Sequence, residues 1–81
     1  MSAFRFAVNV APKPGILDPQ GEVIARSLSG LDLPVASVRA GKVFDLEIAV
    51  DDPAEASRVA TAAAEQVLAN DLIESFEVVL P

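Results

Sequence analysis

Cysteine, histidine, tryptophan and tyrosine are all missing from this chain of 81 residues, and only 6 residues are basic against 12 acidic. Without cysteine there is no disulfide scaffold, no thiol nucleophile and no thiolate metal site. Without histidine, most zinc sites and the commonest general base go too. Ser27, Ser29, Ser37, Ser57 and Ser75 therefore have no base to activate them, because no lysine stands convincingly beside any of them. Stacking on bases or sugars would rest on 4 phenylalanines. A net charge of −6 repels a phosphate backbone, which argues against nucleic-acid binding. No apolar run reaches the length of a membrane span, and the N-terminus lacks the pattern of a secretory signal. The absence of cysteine fits a cytoplasmic protein.

What is present is apolar: hydrophobic residues make up 52% of the sequence. The length predicts a single domain over residues 1–81, and so short a chain buries only roughly 60–65% of its unfolded surface. More apolar surface is on offer than one small core can hide, which predicts an oligomer or a larger complex.

The patterning predicts the order β-α-β-β-α-β. Residues 4–11 alternate, with Phe4, Phe6, Val8 and Val10 on one face, and Pro12 and Pro14 end the strand. Residues 19–31 read as a helix with Val23, Ile24, Leu28 and Leu31 on one side. Two strand-like pieces follow, Val35 to Ala40 and then Phe44 to Val50; Gly41-Lys42 between them fits either a hairpin turn or a bulge in one bent strand. Asp52 and Pro53 open a second helix, where Glu55 can complete a capping box. Its expected buried stripe is Ala56, Val59, Ala60, Ala63, Val67 and Leu68. Asn70 is its stop, and a last strand covers residues 73–80. The expected class is α+β: a two-layer sandwich with two helices on one face of a mainly antiparallel sheet.

The most particular stretch is Lys13-Pro14-Gly15-Ile16-Leu17-Asp18-Pro19-Gln20-Gly21. Asp18 as N-cap and Pro19 at the first helical position already satisfy a strand-to-helix connection. Nothing in that role calls for Lys13, or for Gln20 and Gly21 in the first turn, where glycine costs about 1 kcal/mol relative to alanine. A costly glycine beside a good cap points to a backbone that something approaches closely. A phosphate cradle fits less well, because Gly15 and Gly21 lack the spacing of a nucleotide-binding loop and Asp18 repels an anion. Asp51-Asp52 and Asp45/Glu47 read as a cap and a solvated strand face rather than as a metal site.

This stretch resembles the small PurS subunit of phosphoribosylformylglycinamidine synthase, whose pattern is Lys-x-Gly-Val/Ile-Leu-Asp-Pro-Gln-Gly after the first strand. Arg39-Ala40-Gly41-Lys42 is similar to the family's Arg-x-Gly-Lys turn, and Leu68-Ala69-Asn70-Asp71-Leu72-Ile73-Glu74 to its Leu-x-Asn-Pro-x-Ile-Glu segment, with Asp71 where proline is usual. The resemblance implies a non-catalytic subunit of purine biosynthesis. As a homodimer or dimer of dimers, it would bridge a large synthetase subunit and a glutaminase subunit and support ammonia transfer between them. It implies no cofactor or metal in this chain, with ATP and magnesium held by the synthetase partner. It places subunit contacts at Lys13, Gly15, Asp18, Gln20, Gly21, Arg39, Gly41, Lys42 and Asn70. Two other classes share the element order. One is a ligand-binding regulatory domain of the ACT type, for which Gly15 and Asp18 could form the ligand loop. The other is an acylphosphatase-type enzyme, disfavoured because the loop carries Lys13 and no arginine.

Overall fold

The computed structural model describes residues 3–80, so the termini of the expected domain, Met1, Ser2 and Pro81, lie outside the described residues. In chain order the elements are β1 (Phe4–Pro12), α1 (Pro19–Gly30), β2 (Lys42–Ile48), α2 (Pro53–Ala63), which runs straight into a π-helical turn (Ala64–Leu68), and β3 (Glu74–Val79). The sheet has the order β2-β1-β3, and both pairings are antiparallel. The α+β class and the antiparallel sheet are as the pattern predicts.

Alternation along β1 decides the two faces. Phe6 pairs with Leu46, Val8 lies between Phe44 and Val78, and Val10 lies opposite Phe76. All of these belong to the apolar side that α2 covers. On the other side Arg5 faces Glu47, Ala7 lies between Asp45 and Val79, and Asn9 lies between Val43 and Glu77. The helix meets the sheet through Ala56, Ala60 and Ala64, each with no exposed surface. Spaced four apart, their methyl groups form one stripe and let the helix backbone approach the strands closely. Ala56 and Ala60 pack with Phe6 and Ile48, and Ala64 packs with Val8 and Val10.

The expected stripe fails at one residue. Val67 is 79% exposed. The last turn is π-helical, with the Ala69 N–H donating to the Ala64 carbonyl at 3.0 Å. One extra residue in that turn changes the phase, so Leu68 and Ala69 pack against the Val8–Val10 cluster and Val67 swings out. The capping box is also absent. Asp52 accepts from the Ala54 N–H at 3.3 Å, while Glu55 pairs with Arg58 one turn on.

Two further departures concern the middle of the chain. Residues 35–40 are extended, as a second β-segment would be, but pair with no strand of the same chain. Gly41 is therefore not a hairpin turn. A side chain there would press on the Val10 carbonyl, 2.5 Å from its Cβ, so glycine is where the extended length bends against β1. Nor does α1 join α2 on the sheet. Of the two helices only α2 packs substantially on β1 and β2, and Val23 of α1 and Leu31 at its C-cap are 54% and 70% exposed. The loops after β1 and before β2 leave the same end of the sheet and carry α1 beyond it. The result is a molecule 51 Å long with a radius of gyration of 16.1 Å, where a compact chain of this length would have about 12 Å.

The end of α1 is a Schellman motif. The Leu33 N–H reaches the Leu28 carbonyl at 3.2 Å and the Asp32 N–H reaches that of Ser29 at 3.0 Å. The left-handed residue is Asp32, at φ 61°, and not the nearby Gly30. Aspartate is among the few non-glycine residues that adopt this conformation readily.

Because the alanine stripe leaves no room between α2 and the sheet, Ala60→Leu should lower stability by about 1–3 kcal/mol. Chemical denaturation of the variant beside wild type checks this.

Candidate subunit-contact surfaces

The loop singled out in the sequence is a joint. Asp18 caps α1 by accepting from the Gly21 N–H at 3.0 Å through one carboxylate oxygen. Through the other it accepts from the Ala40 N–H at 2.7 Å. One side chain thus ties the start of α1 to the end of the extended segment 35–40. These two backbone donors, then the nearby positive charge of Arg39, hold the Asp18 carboxyl below the usual aspartate range. Gly21 has its explanation in the same place. A methyl group on it would collide with the Val38 carbonyl and with the Asp18 carboxylate. The neighbour that requires glycine is this chain's own backbone.

Lys13 also has an internal partner. Its Nζ donates to the Asp71 carbonyl at 2.6 Å, and its backbone N–H donates to the Ile73 carbonyl at 2.9 Å. The turn that precedes β3 is fixed from other sides as well. The Asn70 side-chain oxygen accepts from the Leu72 N–H at 3.1 Å, and its backbone N–H donates to the Glu74 carboxylate at 2.8 Å. Lys42 pairs with the same Glu74 at 3.7 Å. Thus Lys13, Lys42 and Asn70 converge on one turn, while Asp18, Gly21 and Arg39 converge on another. Gly15 stands apart as an exposed left-handed residue at φ 83°, and Gln20 is exposed on the first turn of α1. The sequence pattern gave no signal for Asp71, whose carbonyl and not its side chain is what Lys13 grips.

Around these joints lie exposed apolar side chains. Ile16, Leu17, Leu72 and Ile73 are 40%, 69%, 84% and 45% exposed at the end of the sheet where β1 stops and β3 starts. Along α1 and segment 35–40, the Arg26 and Arg39 side chains form no ion pair among the described residues, and no backbone hydrogen bond of Ala36, Ser37, Val38 or Arg39 with the rest of the described chain occurs. No group of three metal-ligating side chains occurs among the described residues. No helix there is long and apolar enough to cross a membrane.

These features define a small α+β domain with joint-like loops and exposed apolar side chains around them. Residues 5–81 match the family described as PurS: Phosphoribosylformylglycinamidine (FGAM) synthase. The chain is 43% identical over 75 residues to the Mycobacterium leprae phosphoribosylformylglycinamidine synthase subunit PurS, covering 91% of each. It is 35% identical over 79 residues to the same subunit of Thermotoga maritima, covering 96% of each. In three dimensions it is similar to a chain in the structure of PurLQS from Thermotoga maritima, with a TM-score of 0.92 and 34% identity over 100% of both chains. It is also similar to Thermus thermophilus PurS, with a TM-score of 0.86 and 33% identity over 94% of this chain and 90% of that one. The chain belongs to the PurS family, and the ACT-type alternative is set aside.

Gly21→Ala should destabilise the protein by on the order of 1–3 kcal/mol even though alanine is the better helix former. Loss of amide-exchange protection concentrated in α1 and at Ala40 would locate the damage at the joint. Asp18 makes a further prediction. Its carboxyl is held low in the folded chain, so its contribution is present above its unfolded pKa and is lost as pH falls through the lower folded value, from about pH 4 downward. Asp18→Asn should therefore be less stable at neutral pH and show a flatter loss of stability on acidification. Equilibrium unfolding from pH 2 to 7 reads both.

Proposed function

We propose that this chain is the non-catalytic small subunit of phosphoribosylformylglycinamidine synthase, that it bridges a synthetase and a glutaminase subunit, and that it helps carry ammonia between them without loss to solvent. The observation that carries the reading is the end-to-end likeness to a chain of the Thermotoga maritima PurLQS structure. The chemistry fits: with no cysteine or histidine in the sequence, glutamine hydrolysis and ATP-dependent activation belong to the partners. The synthetase partner would hold ATP and magnesium. The working compartment would be the cytoplasm.

The chain would act as a homodimer, or as a dimer of dimers. Supporting this, its radius of gyration of 16.1 Å is far above that of a compact chain of its length. The apolar side of α1 and the open backbone of residues 36–39 suit a second copy, which would supply the strand partner and the cover that one chain lacks. Of the contact residues expected from the sequence, Gly15, Gln20 and Arg39 would touch partners directly. Lys13, Asp18, Gly21, Gly41, Lys42 and Asn70 would shape the two joints that present them.

Glutamine-dependent formation of the amidine by the cognate synthetase and glutaminase, with and without this chain, tests the reading. The expected result is a requirement for the chain together with its co-purification with both subunits in glutamine and magnesium-ADP. Full glutamine-dependent turnover without it would sink the proposal. Size-exclusion chromatography with light scattering should give the isolated chain the mass of two copies or four.

A further inference from the structure

We infer that residues 18–40 form one rigid arm that swings against the rest of the chain on a two-stranded hinge at Leu17 and Gly41. The hinge rests on the geometry of a single chain; that assembly fixes its angle rests on the reading of the chain as an assembly subunit.

What holds the arm together stays inside it. The Asp18 carboxylate ties the start of α1 to Ala40, and the one buried residue of the arm, Gly21, is covered by Asp18 and Val38. Past α1 the chain is bound back to the helix end, by the Leu33 N–H on the Leu28 carbonyl at 3.2 Å and by the Ser29 hydroxyl on the Val35 carbonyl at 3.5 Å. The rest of the molecule, the base, is equally self-contained. Both apolar clusters draw all their members from residues 4–10 and 44–78. Lys13 and Ile16 belong to this base, since the Lys13 N–H donates to the Ile73 carbonyl and the Ile16 N–H to the Lys13 carbonyl at 3.1 Å. Among the described residues no hydrogen bond and no ion pair joins residues 18–40 to the base. Two units of one chain that share neither a core nor a polar contact move relative to each other by default.

Only two stretches of backbone cross the boundary, and both are short. Ile16 is the last residue bound to the base and Asp18 the first of the arm, which leaves Leu17 between them. Ala40 is bound to Asp18 and Lys42 pairs with Val10, which leaves Gly41. Neither Leu17 nor Gly41 makes a backbone hydrogen bond among the described residues. The Leu17 side chain is 69% exposed, so rotation about its backbone pulls nothing out of a core. Gly41 crosses β1 with the Val10 carbonyl 2.5 Å from where a Cβ would stand, and glycine lets the backbone turn there with no side chain wedged against the strand. Because Asp18 holds Ala40, the two links lie side by side and the arm turns about the line through both, with a few residues absorbing the change in φ and ψ. The arm carries Gln20, Arg39 and the open backbone of residues 36–39, and the base carries Gly15 and the joint of Lys13 with the turn after Asn70. Partners that touch both sets select one angle among those the free chain samples.

With no cysteine in the sequence, pairs of nitroxide labels on introduced cysteines read the hinge directly. Ser29→Cys with Ser57→Cys spans arm and base, and Ser57→Cys with Ser75→Cys spans the base alone; all three serines are exposed. Labelled chain is diluted into an excess of unlabelled chain, so that each oligomer carries at most one labelled copy, and double electron–electron resonance gives the distances. The expected result is a broad arm-to-base distribution beside a narrow one within the base. The broad distribution should collapse to a single narrow distance when the cognate synthetase and glutaminase are added with glutamine and magnesium-ADP. Asp18→Asn, which removes one of the two acceptor oxygens that tie the links, should broaden the arm-to-base distribution further in the chain alone. An arm-to-base distribution as narrow as that within the base, in the chain alone, would overturn the hinge. One that stays broad in the co-purified complex would overturn the fixing of the angle by assembly and leave the hinge standing. Failure of the chain to join either subunit would overturn the assembly reading, with the hinge decided by the chain alone.

Discussion

Half of this molecule hangs on the carboxylate of Asp18. The sheet and α2 hold each other through buried apolar contact, but α1 and the extended segment that follows it have no such core. What fixes them to one another is a carboxylate that accepts two backbone N–H groups, that of Gly21, 3 residues on, by one oxygen and that of Ala40, 22 residues on, by the other. An ionised acceptor makes stronger hydrogen bonds than a neutral one, so a single residue can join two segments that lack apolar glue. Gly21 follows from it, since the extended segment can reach the carboxylate only by running its Val38 carbonyl against the first turn of the helix. The bend at Gly41 follows in turn, because it leads the clamped segment into β2 past the end of β1.

The strands were legible because alternation is a local signal. Phe4 through Val10, Phe44 through Ile48 and Phe76 through Val78 each place their large side chains on the face that α2 covers, and both helix starts announce themselves by an Asp-Pro pair. The caps read from Asp18 and Asp52 are both present. What could not be read were relations between distant residues. Lys13 looked superfluous because the carbonyl it holds lies 58 residues on. Gly21 looked costly because the backbone that needs its space belongs to residue 38. A 3.6-residue period puts Val67 in the core, but the π turn breaks that period, and nothing in Ala64–Leu68 marks such a turn in advance. The pattern carries the first helix to residue 31, whereas it ends at Gly30 and its left-handed position falls at Asp32. Residues 35–40 have the composition of a strand, but pairing depends on a neighbour that the composition of one segment does not specify.

The site residues divide in the same way. The motifs mark the two loops and the turn before β3. They did not distinguish residues that build the surface from residues that form it. Most of the conspicuous polar positions spend their hydrogen bonds inside the chain, and the surface they support is largely apolar: Leu17, Leu72, Val23 and Leu31. For a chain of this family this is a coherent arrangement. Specific polar contacts set the shape of two loops, and side chains with no polar signature supply the area.

The strand order carries a consequence for how the chain acquires its structure. The central strand is β1, at residues 4–12, and one of its two neighbours is β3, at residues 74–79. The pocket of core around Val8 and Val10 is walled by Phe76 and Val78, so it stays open until that last segment arrives. During synthesis the first strand therefore emerges long before half of its hydrogen-bond partners exist. Pairing across so large a separation carries a loop-closure cost before any contact compensates it, which places the molecule among slower-folding small domains. A nascent chain halted after α2 would display Val8 and Val10 on an unpaired strand edge, the state most exposed to capture by other strands.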